Sequence, residues 1–254
     1  MRLGFIGTGT ITAHMVRGLK ASALAEWPIV LSSRNEAVAA ELALLPRVTV
    51  AASNQAVVDA CDLLILAVRP QVAEAVIRPL AIPPTRPVVS LIAGLHIATL
   101  ADWTGAQDIC RAIPLPFVER HQGVTPVFPP QPAAMQIFAA LGTALPVHDL
   151  AAYDAYAAGS ALMGSYFGLL EKACAWMVAQ GLSEADAARY LRGLFGSLGD
   201  VLREKPAALA QLREDHSTKG GLNEMIFQRF VQGGGGAAME AALTAAFNRV
   251  QGWA

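Results

Sequence analysis

The sequence predicts an α/β chain in which a doubly wound, mostly parallel sheet over residues 1–150 is followed by an all-helical domain over residues 151–254. Three observations carry this reading. Short β-branched runs alternate with alanine-rich stretches of helical length through the first 150 residues, a glycine-rich turn follows the first run at once, and strand signals stop after Asp149.

Strands are expected at 3–6, 29–31, 48–50, 63–68, 88–91 and 108–113, with crossover helices at 11–20, 36–45, 54–60 and 72–80. The run 63–68 is unbroken hydrophobic, as suits a central strand covered on both faces. A proline-rich stretch at 126–132 reads as a connection before a helix at 133–141 and a short run at 144–147. Beyond Asp149 the chain reads as helices punctuated at Gly181, Pro206, Gly220-Gly221 and the four glycines 233–236, which mark a helix break. From Ala155 to Ala179 the only charges are Glu171 and Lys172, read as a structural pair or an exposed edge, so this single long helix is expected to be buried in its domain or against a partner.

Composition narrows the function. The 254 residues are 54% hydrophobic and only 15% charged, with a net charge of −1 spread evenly along the chain. No basic face for nucleic acid or an anionic membrane is expected. The usual charged fraction is about a quarter, so some apolar surface is expected to face another subunit. Cys61, Cys110 and Cys174 lack CxxC or Cys/His spacing, which argues against a disulfide framework and a metal site and suits a reducing cytoplasm. Residues 1–7 are apolar too briefly for a signal peptide or a membrane span.

The strongest chemical signal is Gly7-Thr8-Gly9-Thr10-Ile11-Thr12, directly after a strand and opening a helix. Gly7 permits the tight turn, Gly9 lets backbone approach a pyrophosphate, and the N–H groups of the helix start supply donors, the arrangement of a Rossmann-type dinucleotide site. Thr12 stands where the motif has glycine or alanine. The second strand ends in Ser32-Ser33-Arg34-Asn35, with no carboxylate for a ribose 2′-hydroxyl. A hydroxyl at Ser33 and a guanidinium at Arg34 suit a 2′-phosphate, so NADP (NADPH) is the expected cofactor. Ala67-Val68-Arg69-Pro70 and Ala93-Gly94 follow later strands, at the ends that line the ligand crevice of such sheets.

The succession of motifs resembles the pyrroline-5-carboxylate reductase family. Phe5-Ile6-Gly7-Thr8-Gly9 matches its opening turn, Ser33-Arg34 its 2′-phosphate loop, Asn54 a cofactor-contacting asparagine, and Ala67 to Gln71 its AVKPQ segment with Arg69 for lysine. Val89 to Gly94 resembles VSIAAG, Arg111-Ala112-Ile113-Pro114 opens like RxMPNTP, His216 to Asn223 falls where the family has VTSPGGTT, and 233–246 follows its GGFRxxVxxAVxAA helix start. The resemblance implies NADPH-dependent reduction of a C=N bond, pyrroline-5-carboxylate to proline, with a Rossmann domain joined to an all-helical dimerisation domain.

Departures from the pattern are concentrated at the substrate side. Leu115-Pro116-Phe117 replaces Asn-Thr-Pro, the family's SGSGPAY helix start survives only loosely at 158–166, and Thr218, Lys219 and Asn223 stand where the family has Ser, Pro and Thr. The resemblance implies that Thr218, Gly220 and Gly221 hold a substrate carboxylate, with a helix start capped from Ser217 or Thr218, and that Asn223 orients the ring nitrogen. Lys219 adds a cation for a second anionic group, and His216 is the one histidine placed as a proton donor. Lys172 lacks the asparagines of the related hydroxyacid dehydrogenase helix pattern. No nucleophile is assigned, and positioning of the imine against the nicotinamide can carry much of the catalysis. The alternatives are reduction of a different imine or of a keto acid, and a non-catalytic NADP-binding regulatory module. A small anionic cyclic imine as substrate and a homodimer or higher oligomer through residues 151–254, with the active site near the subunit boundary, complete the expectation.

Overall fold

Eight strands form one sheet in the computed structural model, which describes residues 1–252. The strands are β1 (Leu3–Ile6), β2 (Ile29–Leu31), β3 (Val48–Val50), β4 (Leu63–Leu66), β5 (Val88–Ser90), β6 (Ile109–Ala112), β7 (Gly123–Phe128) and β8 (Gly142–Pro146), in the order β3-β2-β1-β4-β5-β6-β7-β8. All neighbours pair parallel except β6 with β7, which turns the last two strands against the rest. The chain reverses direction across the sheet between β1 and β4, the switch point at which doubly wound sheets open a ligand crevice.

Alternation places the core on both faces. Leu63 and Ile65 of β4 pack with Leu3, Phe5 and Val89 on one side, while Leu64 and Leu66 pack with Ile6 and Val88 on the other. Helix α1 (Thr10–Lys20) buries Met15, Val16 and Leu19 against the first side. Helices α3 (Asn54–Ala60) and α4 (Pro70–Ile77) bury Val57, Val58, Ala73 and Ile77 against the second. Between them α2 (Glu36–Leu42) precedes β3, and α6 (Pro132–Ala140) covers the sheet beside β8.

Three elements of the sheet half differ most from the expectation. The proline-rich stretch contains the end of β7, because Pro126 sits where the strand needs an acceptor and not a donor: its carbonyl takes the Ile113 N–H at 3.2 Å. Helix α5 (Ile97–Thr104), hidden by its short length, buries Leu100 and stops at Gly105 in the left-handed region. The strand expected over 63–68 ends at Leu66, where Ala67 N–H still bonds the Ile6 carbonyl before Pro70 opens α4.

The helical part consists of α7 (Leu150–Ser160), α8 (Leu162–Ala179), α9 (Glu184–Glu204), α10 (Leu209–Asp215), α11 (Leu222–Gln232) and α12 (Gly235–Val250). The stretch 155–179 is therefore two helices and not one, divided at Ala161 just after Ser160 turns its hydroxyl back onto the Ala157 carbonyl. Packing divides the chain into two compact units, residues 1–160 with 247–254, and residues 161–246. Helix α7 thus packs with the sheet, where Tyr153 and Asp154 are buried. Helix α8 buries no residue within the chain, and its Phe167 and Trp176 are each 66% exposed, so burial within its own domain is excluded. Glu171 and Lys172 lie on an exposed edge. As expected, the 233–236 glycines break α11 from α12. No helix among the described residues is long and apolar enough to cross a membrane.

Candidate active site

The turn after β1 is built by backbone proximity. Gly7 has φ +102°, and a Cβ there would lie 2.5 Å from the Ala67 carbonyl oxygen, so β1 and the chain leaving β4 approach as closely as they do only because position 7 is glycine. Ser32 pins the turn: its hydroxyl accepts the Gly7 N–H at 2.9 Å, and its carbonyl accepts the Thr8 hydroxyl at 2.6 Å. Thr12, at the motif's third position, is fully buried and donates its hydroxyl to the Gly7 carbonyl at 2.6 Å. The departure at residue 12 therefore ties helix to turn. Around Gly9, the N-cap of α1, the space within 4 Å of a would-be Cβ is open, leaving room for a ligand against backbone.

A cavity of about 290 Å³ opens over this turn, lined by Gly7, Thr8, Gly9, Arg34, Asn35, Ala67, Val68, Arg69 and Val72. Two guanidinium groups and no carboxylate wall it. Asn35 holds φ at +66°, which turns the loop out of β2 and starts α2. Ser33 is exposed on this loop and, with Asn54 and Pro70, lies outside the walls of this cavity and of the next. Asn54 begins α3, whose start is capped by Ser53 accepting the Ala56 N–H at 3.1 Å, and Pro70 is the first residue of α4. The donor set fits a dinucleotide with a phosphorylated ribose: open backbone at Gly9 for the pyrophosphate and paired arginines where an acid would repel a 2′-phosphate.

A second cavity, about 340 Å³, lies at the C-terminal ends of β5 and β6. Thr10, Ile11, Ala93 and Gly94 line it beside Arg111, Pro114, Pro116 and Tyr153. Gly94 has φ +70°, so it supplies both the turn and an unobstructed wall. Arg111 and Asp154 are each 2% exposed, yet Arg111 Nη1 and Asp154 Oδ1 stand 3.8 Å apart. The Arg111 guanidinium instead stacks 4.6 Å from the centroid of the Tyr153 ring. Sequence reasoning missed Tyr153, Asp154 and Asn35. A lone acid within the apolar run 150–164 was the available signal.

The loop before α11 is organised internally. His216 ends α10 with Nδ1 at 2.7 Å from the Leu212 carbonyl, and its own carbonyl accepts the Asn223 side-chain N–H at 2.7 Å. The Gly220 N–H donates to Glu224 Oε2 at 2.6 Å, and the Gly221 N–H to the Thr218 carbonyl at 2.8 Å. Neither Ser217 nor Thr218 caps α11, contrary to expectation: the N-cap is Gly221, and Ser217 donates its hydroxyl to the Arg213 carbonyl. Glu224 reaches back as a capping carboxylate and so occupies an N–H expected to be free. Thr218 and Lys219 are exposed.

Known proteins share this architecture throughout. The family model described as NADP oxidoreductase, coenzyme F420-dependent, matches residues 2–94, and the model of pyrroline-5-carboxylate reductase dimerisation matches residues 151–252. The pyrroline-5-carboxylate reductase of Pseudomonas aeruginosa is 29% identical over 259 residues, covering 98% of this chain and 95% of that one. The chain is thus similar to pyrroline-5-carboxylate reductases over nearly its whole length. Solved pyrroline-5-carboxylate reductases repeat the fold. That of Coxiella burnetii has a TM-score of 0.85 at 22% identity, covering 100% of this chain and 98% of that one. That of Plasmodium falciparum, with NADP bound, has a TM-score of 0.80 at 17% identity, covering 100% and 98%. The dimerisation model covers residues 151–252, the part that leaves α8 uncovered.

Proposed function

We propose that the protein is an NADPH-dependent reductase of the C=N bond of a small cyclic imine, with pyrroline-5-carboxylate, giving proline, as its first candidate substrate. The observation that carries this is the acid-free, doubly cationic wall of Arg34 and Arg69, lining the same cavity as the glycine turn, in a chain that matches both models. Gly7 shapes the turn and Thr8, Gly9, Thr10 and Ile11 hold the pyrophosphate through backbone N–H groups, while Arg34 and Arg69 take the 2′-phosphate. Ala93 and Gly94, after β5, offer a flat wall of the second cavity to a ring. When bound, the reduced nicotinamide supplies the hydride. The chain's own residues fix the imine carbon against it and keep water out of an apolar cavity.

On this reading the substrate elements are Thr218, Lys219, Gly220, Gly221 and Asn223, with His216 beside them, in a homodimer formed through residues 151–254 and an active site near the subunit boundary. Buried, unpaired Cys61 and Cys110 suit a reducing cytoplasm. Loss of NADPH absorbance with pyrroline-5-carboxylate tests the proposal. Saturable NADPH binding without turnover of any cyclic imine would refute it and leave a cofactor-binding module.

The Glu224 carboxylate on the Gly220 N–H favours a second reading, an imine without a carboxylate at that point. Leu115 and half-exposed Phe117, next in sequence to the cavity-lining Pro114 and Pro116 and in place of polar groups, support it. A panel comparing carboxylated and uncarboxylated pyrrolines on wild type, Lys219→Pro and Asn223→Thr separates the two readings.

A further inference from the structure

Two of the side chains lining the cavity at the ends of β5 and β6 ionise, Arg111 and Tyr153; the rest are aliphatic or proline apart from the hydroxyls of Thr10 and Ser160. Arg111 is buried with Nε and Nη1 unpartnered among the described residues, as are Asp154 Oδ1 and Thr125 Oγ1 on the neighbouring elements. A separation of 3.8 Å is beyond a hydrogen bond, so Asp154 offsets the guanidinium charge without engaging it. The cation faces the Tyr153 ring instead.

Reduction of an imine requires a proton on nitrogen as well as a hydride on carbon. Arginine does not release a proton in a protein, and the hydroxyls of Thr10 and Ser160 are far weaker acids than a phenol. We propose that Tyr153 donates the proton to the imine nitrogen, with Arg111 as the residue that positions and electrostatically supports it. The inference rests on the reading of this site as an imine reductase. In the step, the imine carbon takes the hydride supplied by the reduced nicotinamide while the Tyr153 O–H bond breaks. Its proton forms the new N–H bond and its electron pair stays on the phenolate oxygen. The guanidinium beneath the ring stabilises that oxygen until solvent restores the proton.

The surroundings supply the donor form at neutral pH. Burial pushes the phenol well above its ordinary range; the Arg111 cation opposes this, and the Cys110 thiol of β6 and the Asp154 carboxylate of α7 add to it. Phe128 of β7 also packs on this phenol, its ring centroid 5.7 Å from that of Tyr153.

Steady-state kinetics of Tyr153→Phe across the neutral and alkaline range provide the test. A proton donor predicts a fall in kcat of about a hundredfold, with an NADPH KM equal to wild type and unchanged melting. A variant that keeps wild-type kcat, or one that loses NADPH binding along with activity, overturns the proposal. A wild type inactive on every cyclic imine refutes the proposed function instead. In that case ultraviolet difference titration of tyrosinate decides the inference. With only four tyrosines in the chain, wild type minus Tyr153→Phe isolates one phenol, and Arg111→Gln should move its titration to higher pH. No shift in Arg111→Gln overturns the coupling on which the proposal stands.

Discussion

Replacing Arg34 with alanine tests its proposed part in selecting the cofactor. Arg34 is exposed on the loop between β2 and α2 and shares a cavity wall with Arg69, with no carboxylate lining the same space. A charge-assisted hydrogen bond contributes about 1.5–3 kcal/mol, and solvent screening at an exposed guanidinium points to the lower end of that range. With Arg69 left in place, the expected loss in NADPH affinity is about tenfold, since 1.4 kcal/mol is a factor of ten in Kd. NADH lacks the 2′-phosphate, so its Kd should be unmoved. Fluorescence titration of both cofactors into both proteins, repeated at raised salt, gives the answer directly. Added salt should weaken NADPH binding by wild type more than by Arg34→Ala, because part of the attraction is between solvated charges. Equal losses for NADPH and NADH would show that Arg34 acts through loop structure, and no loss for either would remove it from the cofactor site.

Gly7→Ala should lower the melting temperature and abolish NADPH binding together, since a Cβ at φ +102° meets the Ala67 carbonyl; strain of this kind costs about 1–3 kcal/mol. Thermal melts with and without NADPH check it. Thr12→Val keeps the shape but leaves the Gly7 carbonyl without its 2.6 Å partner, and should cost about 1–2 kcal/mol in urea denaturation. Trp176→Glu or Phe167→Glu on α8 should shift sedimentation from dimer to monomer, whereas unchanged sedimentation would remove α8 from the interface. Glu119 of the turn 116–120 is hydrogen-bonded to His14 of α1, and this bond holds its carboxyl below the ordinary value of 4.5. The pair's contribution to stability is therefore present above that value and lost as pH falls through the lowered one. His14→Ala should flatten the acid side of the urea-midpoint profile.

The sheet was legible because its strands are buried on both faces and carry nearly pure apolar sequence; β1, β2, β3 and α3 have the bounds the pattern predicts. Two elements escaped for identifiable reasons. β7 contains Pro126, whose ring removes a donor that this strand does not use at that position, and α5 spans only two turns. The division of 155–179 into α7 and α8 was hidden because both sides of Ala161 are apolar and small. At the site, local chain chemistry was readable where backbone does the work, as at Gly7 and Gly9. Contacts between residues distant in sequence were not: Arg111 on Tyr153 joins β6 to α7. Glu224 was passed over because it lies one residue beyond the pattern 216–223, which reserved the Gly220 N–H for a substrate carboxylate.

The exposed apolar surface has a location. In the first unit the fully buried large side chains belong to the sheet and its helices, and the surface carries ion pairs such as Arg78 with Glu74 and Asp102. In the second unit exposed apolar side chains accumulate along helices: Phe167 and Trp176 on α8, then Leu222 at 72% and Ile226 at 63% on α11. Isolated exposed apolar residues are ordinary, but rows of them on successive helices are a surface that water does not favour. A separate, unrelated partner would leave the chain insoluble whenever that partner was scarce. A second copy is present at the chain's own concentration, and the segment that carries these rows is the one that matches the dimerisation model. The exposed apolar rows of the last hundred residues thus belong to an interface between copies, while the cofactor half keeps ion pairs on its surface and two guanidinium groups in its cavity.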